Sequence, residues 1–240
     1  MDIKILASGS SGNSYRISDG KTCLLLDAGI PFSKLQAKLS FRMSEIDACL
    51  ISHAHKDHSN AATDLSKAGI DVYTSAGTIE ACKLTGHRIH ALLPLPGALP
   101  PYMRVSIGTF EILPFDVAHD APDPVGFLIT SNETKEKLLF FTDTFYLKYR
   151  FPSCQYIMAE CNYDRESLQH AIDTGYVPEI VAKRVFKSHM SLDNLIEMLK
   201  ANDLSKIKQI YLMHLSQNNS NEKRFKEEIQ KVTGAEVYVC

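Results

Sequence analysis

Three histidines and one aspartate lie within six consecutive positions of this chain, and these residue types can bind metal ions. The stretch HAHKDH supplies His53, His55, Asp57 and His58. His53 and His55 lie two residues apart, so in extended backbone both imidazoles point to the same side. Imidazole and carboxylate are the ligands that zinc and related divalent ions take in proteins. The cluster therefore predicts part of a metal site.

The ends of three later apolar runs supply further candidate ligands. His119 follows ILPFDVA, Asp143 follows KLLFFT, and His214 follows KQIYLM. Catalytic zinc keeps about three protein ligands plus water, so seven ligands with one shared carboxylate suit two metal ions. A lone histidine is usually a capping or surface group, but a set of this size at strand ends favours metal binding.

The predicted secondary structure must present these residues at the ends of strands. Short apolar runs alternate with helical patterns, and strands dominate the first half of the chain. DACLIS is predicted as a buried strand that leads directly into HAHKDH, and DHSNAATDLSKAG as one helix that ends at Gly69. Sheets with helices on their outer faces fit a layered α/β sandwich. At 240 residues we expect a single domain, 1–240.

Composition limits the partners and the compartment. Lys and Arg number 26 against 28 Asp and Glu, so the net charge of −2 provides no global basic field for nucleic acid. The sequence shows no secretion signal and no apolar span of membrane length. The six cysteines include no CxxC pair and are expected to be reduced thiols. We therefore expect a cytoplasmic protein with no membrane partner. The oligomeric state stays open between a monomer and a homo-oligomer.

HAHKDH matches the HxHxDH motif of the metallo-β-lactamase superfamily, and LLLDAG with Asp27 resembles the first motif of that family. The resemblance covers nearly the whole chain and includes the later ligands in the same order. It implies an αβ/βα four-layer sandwich, in which helices flank two central mixed β-sheets. The seven candidate ligands would hold two divalent ions per chain. We expect Zn²⁺ or Mn²⁺ rather than Fe.

The resemblance also implies which residues bind which ion. One metal is held by His53, His55 and His119. The other metal is held by Asp57, His58 and His214, and Asp143 bridges the two.

Four other stretches resemble the YycJ/WalJ group of cytoplasmic phosphodiesterases, which is associated with 5′-end DNA exonuclease activity and is akin to RNase Z. They are LASGSSGNSY, HDAPDPVGF around His119, SHMSLDN around His189, and HLSQNN from His214 onward. MAECNYD and SHMSLDN are also similar to the RNase Z elements whose glutamate and histidine handle protons, which implies that role for Glu160 and His189. The implied reaction is phosphodiester hydrolysis at DNA 5′ ends by a metal-bridging hydroxide that Asp57 orients, with His189 donating a proton to the departing oxygen.

Two alternatives stay open at this point. A small-molecule metallohydrolase on the same fold, such as a cyclic phosphodiesterase, a glyoxalase-II-like thioesterase or a lactonase, would use the same ligands, because substrate choice lies in the loops. The Glu160–His189 pair favours phosphate, whereas the near-neutral charge keeps this alternative open. A metal-binding module without catalysis is disfavoured by the complete ligand set.

Two stretches are candidates for contact with substrate phosphate. The loop SGSSGNS offers Ser8, Ser10, Ser11 and Asn13 as a backbone nest, although a plain hairpin loop or a supporting role for Asn13 is favoured. The run AKRVFKS brings Lys183, Arg184 and Lys187 close to His189 in sequence. We weigh two roles for this run equally: it binds the phosphates of the substrate backbone, or it is only a solvent-exposed charged surface.

A third stretch, TFYLKYRF, directly follows Asp143 and interleaves aromatic residues with Lys148 and Arg150. Such a pattern can stack on a single-stranded nucleic-acid end. We expect instead that these aromatic side chains pack into the core.

Overall fold

The computed structural model describes residues 1–216 and 220–240, and these form two compact units. Unit 1 comprises Met1–Asp116 and Ala121–Glu136, and unit 2 comprises Val117–Asp120 and Lys137–Cys240. The expectation of a single domain over 1–240 stays a prediction. Residues 217–219 of the HLSQNN stretch lie outside the described residues. Among the helices of the described part, none is long and apolar enough to span a membrane.

Unit 1 contains a six-stranded mixed sheet whose strands lie side by side in chain order. The strands are β1 (Asp2–Ala7), β2 (Ser14–Ser18), β3 (Cys23–Leu26), β4 (Ala48–Leu50), β5 (Asp71–Thr74) and β6 (Ile89–Ala91). The pairs β1–β2 and β2–β3 are antiparallel, and the pairs from β3 to β6 are parallel. β3 and β4 are buried on both faces, which is why their sequences are continuous apolar runs. The predicted buried strand before the histidine cluster is thus confirmed.

Four short helices and an antiparallel meander complete unit 1. The helices are α1 (Phe32–Lys38), α2 (Lys56–Ser59), α3 (Ala62–Lys67) and α4 (Ala76–Ala81), with a 3₁₀ turn at Met43–Glu45. The meander consists of β7 (Val105–Ile107), β8 (Phe110–Asp116) and β9 (Val125–Ser131). Leu35 of α1 and Leu65 of α3 are fully buried in one cluster with Leu25, Cys49 and Val72, so these helices cover one face of the sheet.

The single helix predicted for DHSNAATDLSKAG is wrong, because the structure has two helices there, α2 and α3. The backbone N–H of Ala61 donates to Ala28 O at 2.8 Å, and Asp57 O accepts from Asn13 N at 2.8 Å. The bond from Ala61 to Asp57 that would continue α2 is therefore replaced by bonds to other segments. The predicted end of the second helix is confirmed, since Gly69 follows it with a φ of 90°.

Unit 2 contains four parallel strands in the order β10 (Lys137–Phe141), β11 (Tyr156–Glu160), β12 (Gln209–Met213) and β13 (Glu236–Val239). Its helices are α5 (Arg165–Asp173), α6 (Glu179–Ser188), α7 (Leu192–Lys200) and α8 (Glu222–Thr233). The carboxyl ends of parallel strands meet at one edge of a sheet. Asp143 follows β10, Glu160 ends β11, and His214 follows β12, so the topology delivers all three side chains to that edge.

Candidate metal centre

The HAHKDH residues of unit 1 lie in the loop after β4 and the first turn of α2. His53 and His58 are buried, while His55 and Asp57 are partly exposed. The ring centroid of His53 lies 4.8 Å from that of His55 and 4.2 Å from that of His58. The Oδ2 atom of Asp57 lies 3.4 Å from His58 Nε2. The structure thus brings all four predicted ligands of this unit together.

Asp27, from the LLLDAG motif, fixes this loop from behind. Its fully buried carboxylate accepts hydrogen bonds from Ser52 N at 2.8 Å and Ser52 Oγ at 3.0 Å. It also lies 2.8 Å from His58 Nδ1. A carboxylate that holds the Nδ1–H of a histidine leaves Nε2 as the electron-pair donor, which is the arrangement found behind metal-bound imidazoles. Asp27 therefore orients the imidazole of His58, which is a predicted ligand.

The glycine of the LLLDAG motif is required by a close backbone approach. A Cβ atom at Gly29 would lie 1.6 Å from Asp57 O, so any other residue would push the two segments apart. Ala28 N donates to His58 O at 2.8 Å, which pairs the same segment with the ligand loop. The motif is thus the backbone surface on which the HAHKDH loop rests.

Asn13 of the SGSSGNS loop is fully buried and supports the same ligands. Its Nδ2 donates to Gly9 O at 3.1 Å and to Asp57 O at 3.3 Å, and it lies 3.1 Å from His58 Nε2. Its Oδ1 accepts from Gly9 N at 2.9 Å and from Tyr15 OH at 3.1 Å. These contacts favour a supporting role for Asn13 over a direct contact with phosphate.

The serines of the SGSSGNS loop occupy different environments. The Oγ atom of Ser8 lies 3.2 Å from Tyr15 OH, and Ser10 and Ser11 are exposed in the turn between β1 and β2. Phosphate contact by these serines stays a prediction.

Unit 2 brings together the five remaining candidates for metal binding and catalysis. They are His119, Asp143, Glu160, His189 and His214. Four of them form one group, in which one ligand atom of each residue lies within 4.8 Å of those of the others: Asp143, Glu160, His189 and His214. Asp143 lies between two imidazoles, with Oδ2 at 3.6 Å from His119 Nε2 and Oδ1 at 3.8 Å from His214 Nδ1. This is the placement expected of a carboxylate shared by two ions.

The imidazole of His119 is oriented like that of His58. Its Nδ1 lies 3.0 Å from Ser188 O, a carbonyl that can only accept, so Nδ1 carries the proton and Nε2 is left as the donor of an electron pair. Burial lowers the pKa of His119 by more than the attraction of Asp143 and Asp120 raises it. A neutral imidazole is the form that binds metal. Buried, pre-oriented imidazoles beside acceptor-only carboxylates therefore fit divalent first-row ions.

Glu160 and His189 form a direct pair. The Oε1 atom of Glu160 lies 2.5 Å from His189 Nδ1, and the Glu160 side chain is completely buried. The other carboxylate oxygen, Oε2, accepts from Thr144 N and Met190 N, both at 3.1 Å. The carboxylate is therefore locked in place, and it fixes the plane of the His189 ring.

The electrostatics of this pair favour its charged form. Burial raises the pKa of Glu160, but the attraction of His189 and the hydrogen bonds from His189 and His214 bring it below its usual value. Burial lowers the pKa of His189, but the attraction and hydrogen bond of Glu160 and the charge of Asp143 raise it above its usual value. Both shifts favour a proton on His189 and a charged carboxylate on Glu160.

The sequence analysis missed Asn162, which joins the pair to His214. Its Nδ2 donates to His214 O at 2.9 Å and lies 3.2 Å from His214 Nδ1. Its backbone N donates to Met190 O at 2.9 Å, and its backbone O accepts from Ser216 N at 2.8 Å. Its position in MAECNYD, two residues after Glu160, was the only sequence signal for it.

Strained backbone marks three of the candidate site residues. Asp27, Asp143 and His214 have φ values of 57°, 46° and 52°, in the left-handed region that side chains other than glycine rarely adopt. Such strain concentrates at functional sites, where the surrounding hydrogen bonds hold it in place.

The basic run lies on α6 and is partly neutralised. Lys183 Nζ lies 2.8 Å from Glu179 Oε1, and Arg184 Nε lies 2.8 Å from Asp120 Oδ2. Lys187 is exposed on the same helix. Both ion pairs are solvent-exposed and therefore weak, so a phosphate can compete for either cation. Phosphate binding by this run stays a prediction.

Comparison with known proteins agrees with this geometry. Residues 22–215 match the model of the Beta-lactamase superfamily domain. The chain is 30% identical over 226 residues to the exodeoxyribonuclease WalJ of Streptococcus pneumoniae, with 90% of this chain and 82% of that protein covered. It is 26% identical over 234 residues to the exodeoxyribonuclease YycJ of Bacillus anthracis, with 92% and 84% covered.

A solved structure extends the comparison to the fold. The metallo-β-lactamase fold protein YhfI of Bacillus subtilis aligns with a TM-score of 0.72 at 18% identity, over 99% of this chain and 95% of that one. The predicted fold class, an αβ/βα sandwich of two mixed β-sheets flanked by helices, is confirmed, and so is the predicted resemblance to the YycJ/WalJ group.

Proposed function

We propose that this chain, which belongs to the metallo-β-lactamase superfamily and is a metal-dependent hydrolase, is a phosphodiesterase that degrades DNA from 5′ ends. The observation that carries the proposal is the pairing of the buried Glu160 carboxylate with His189, 2.5 Å apart beside Asp143 and His214. An alkoxide leaving group needs a proton, whereas a thiolate leaves readily without one. The names of the relatives WalJ and YycJ, both exodeoxyribonucleases, support DNA as the substrate.

Seven side chains would hold two divalent ions, Zn²⁺ or Mn²⁺. His53, His55 and His119 would hold one ion, Asp57, His58 and His214 would hold the other, and Asp143 would serve both. Such ions, when bound, lower the pKa of a water ligand to near neutrality and polarise a phosphoryl oxygen.

The remaining chemistry belongs to residues of the chain itself. Asp57, whose side chain is 26% exposed, is the carboxylate placed to accept a hydrogen bond from the attacking water and orient it. His189 has its Nδ1 committed to Glu160, so Nε2 is the nitrogen that delivers a proton to the departing oxygen. Glu160 touches no substrate atom in this scheme; it positions His189 and stabilises its protonated form.

A panel of substrates tests the proposed function. The protein, supplied with Mn²⁺ or Zn²⁺, would be incubated with 5′-phosphorylated duplex, single-stranded DNA, RNA, a cyclic nucleotide, a thioester and a lactone. We expect the protein to release nucleotides from the 5′ ends of the DNA substrates, with a higher kcat/KM than for RNA, the cyclic nucleotide, the thioester or the lactone. A preference for the cyclic nucleotide, the thioester or the lactone would contradict the proposal and identify a small-molecule hydrolase.

Neutralising the basic run tests whether a polymer is bound. The triple variant that combines Lys183→Gln, Arg184→Gln and Lys187→Gln is expected to bind DNA more weakly and to reduce the slope of log K against log salt by about 2, because fewer counterions are released. Fluorescence anisotropy at several salt concentrations measures this slope.

A matched control for the basic run lies on α8. Lys223, Lys226 and Lys231 are also exposed, and Lys231 is paired with Glu228 as Lys183 is with Glu179. Replacing these three lysines by Gln should leave the salt slope unchanged. Equal salt slopes for the unchanged protein and both triple variants would mean that the basic run on α6 is exposed to solvent and does not bind DNA.

A further inference from the structure

The segment 144–151 of unit 2, which follows Asp143, lines a cavity of about 350 Å³ against α7. Phe145, Tyr146, Lys148 and Arg150 contribute to its wall from the segment, and Asn194 and Glu197 contribute from the helix. Neither the metal ligands nor the Glu160–His189 pair lies in this wall.

The expectation that the aromatic side chains of this segment pack into the core is wrong for two of them. Phe145 is 39% exposed and Tyr146 is 57% exposed. Leu147 and Phe151 are buried, at 5% and 6%, and they anchor the segment. Two adjacent aromatic side chains thus face solvent, although Leu147 and Phe151 of the same segment are buried.

Hydrogen bonds fix the backbone that presents these two aromatic residues. Thr144 Oγ1 donates to Tyr146 O at 2.8 Å, and Asn194 Nδ2 donates to Phe145 O at 2.8 Å. At the other end, Phe151 N donates to Asn202 Oδ1 at 2.8 Å. Because the backbone is already ordered, a ligand that stacks here does not have to order it.

The same segment is bonded directly to the proposed catalytic pair. Thr144 N donates to Glu160 Oε2 at 3.1 Å, so the residue before Phe145 is part of the pair's support. Tyr146 follows Asp143 by three residues, and their Cα atoms are therefore at most about 11 Å apart. A base stacked on Phe145 or Tyr146 would belong to one of the first few nucleotides beside the reacting phosphate.

The chemistry of the wall identifies the ligand class. Aromatic faces stack on any base, and neighbouring cations pair with the phosphates between bases, which is how proteins hold single strands. Among the described residues of the wall, Lys148 and Arg150 are cationic and Glu197 is the opposing carboxylate. Paired bases inside a duplex expose no face for stacking, so the wall suits unpaired nucleotides.

We propose that residues 145–150 form a stacking platform for the unpaired end of a DNA strand, with bases on Phe145 and Tyr146 and phosphates on Lys148 and Arg150. This inference rests on the proposed function, and it specifies the form in which the substrate binds, as a single-stranded or frayed end.

Fluorescence of 2-aminopurine tests the platform. The full-length protein with its metal would be mixed with a 5′-phosphorylated single strand that carries 2-aminopurine near its 5′ end and phosphorothioate linkages that slow cleavage. Stacking on an aromatic ring quenches this fluorophore. The double variant Phe145→Ala, Tyr146→Ala is expected to lose the quenching and to bind roughly 10- to 100-fold more weakly.

Two further variants separate stacking from loss of structure. Tyr146→Phe keeps the ring and should retain both quenching and affinity. Tyr176→Ala removes another exposed aromatic side chain of unit 2, 67% exposed, and should change neither. If the double variant quenches and binds as the unchanged protein does, the platform is wrong. An equal loss of affinity for a blunt duplex with cross-linked, non-fraying ends would also overturn it.

Failure of the platform and failure of the proposed function give different results. If the unchanged protein degrades DNA ends and the double variant has the same KM, the platform is wrong and the nuclease function stands. If the unchanged protein binds the single strand with quenching but hydrolyses no DNA, the platform stands and the nuclease function is wrong.

Discussion

The His189→Ala variant is expected to turn over DNA ends about 10²- to 10⁴-fold more slowly, with its metal content unchanged, because it loses a general acid and no metal ligand. The seven proposed ligands would complete two sites without His189, and the Nδ1 atom of His189 already lies 2.5 Å from Glu160 Oε1. The loss should be smaller for a nitrophenyl phosphodiester, whose leaving oxygen needs little protonation. Steady-state kinetics on both substrates and elemental analysis of the same samples measure these effects.

Two companion variants sharpen the His189 experiment. Glu160→Gln should cost less than His189→Ala, because it removes the orientation and the charge but leaves the proton donor. His170→Ala, at an exposed histidine on α5, is the matched control and should behave as the unchanged protein. Loss of metal in His189→Ala, or equal losses on good and poor leaving groups, would show that His189 is not the general acid.

Asp143→Ala is expected to abolish detectable hydrolysis and to retain at most one of two metal ions per chain. Asp143 is 3% exposed and lies within 4 Å of both His119 and His214, so its replacement would remove the proposed shared ligand from a buried position. The expected loss exceeds that for removing a proton donor, because in the proposed mechanism both the ions and the attacking water would depend on Asp143. Elemental analysis after dialysis measures the ions.

The control for Asp143 is a carboxylate of the same unit outside the ligand set. Asp173→Ala, at an exposed position at the end of α5, should keep both ions and full activity. An Asp143→Ala protein that keeps two ions and its activity would remove Asp143 from the site.

The ligand-bearing edge of each unit could be predicted from the sequence, because buried parallel strands are continuous apolar runs and the ligands follow them directly. Helix α6 was not predicted. Its apolar residues do not form one buried face, since Ile180 is 80% exposed and Val181 is 48% exposed, whereas Ala182 is buried. The pattern that indicates a core-facing helix is therefore weak in this segment.

Other features depend on contacts between distant segments, which no local pattern contains. The interruption between α2 and α3 follows from bonds that Asn13 and Ala28 make to the helix region. The supporting role of Asn162 requires the pairing of β11 with β12, which places it beside His214. The exposure of Phe145 and Tyr146 is set by Thr144 and Asn194, which hold the backbone of the segment against burial.

Removing and restoring the divalent ions shows whether this chain needs them to hydrolyse DNA ends. The protein would be stripped with a chelator, dialysed, and titrated with Mn²⁺ or Zn²⁺ while release of nucleotides from a 5′-labelled duplex is followed. We expect no release from the stripped protein and a return of activity that saturates at two ions per chain. Nucleotide release that survives complete removal of metal, or that never appears at any metal concentration, would contradict the account.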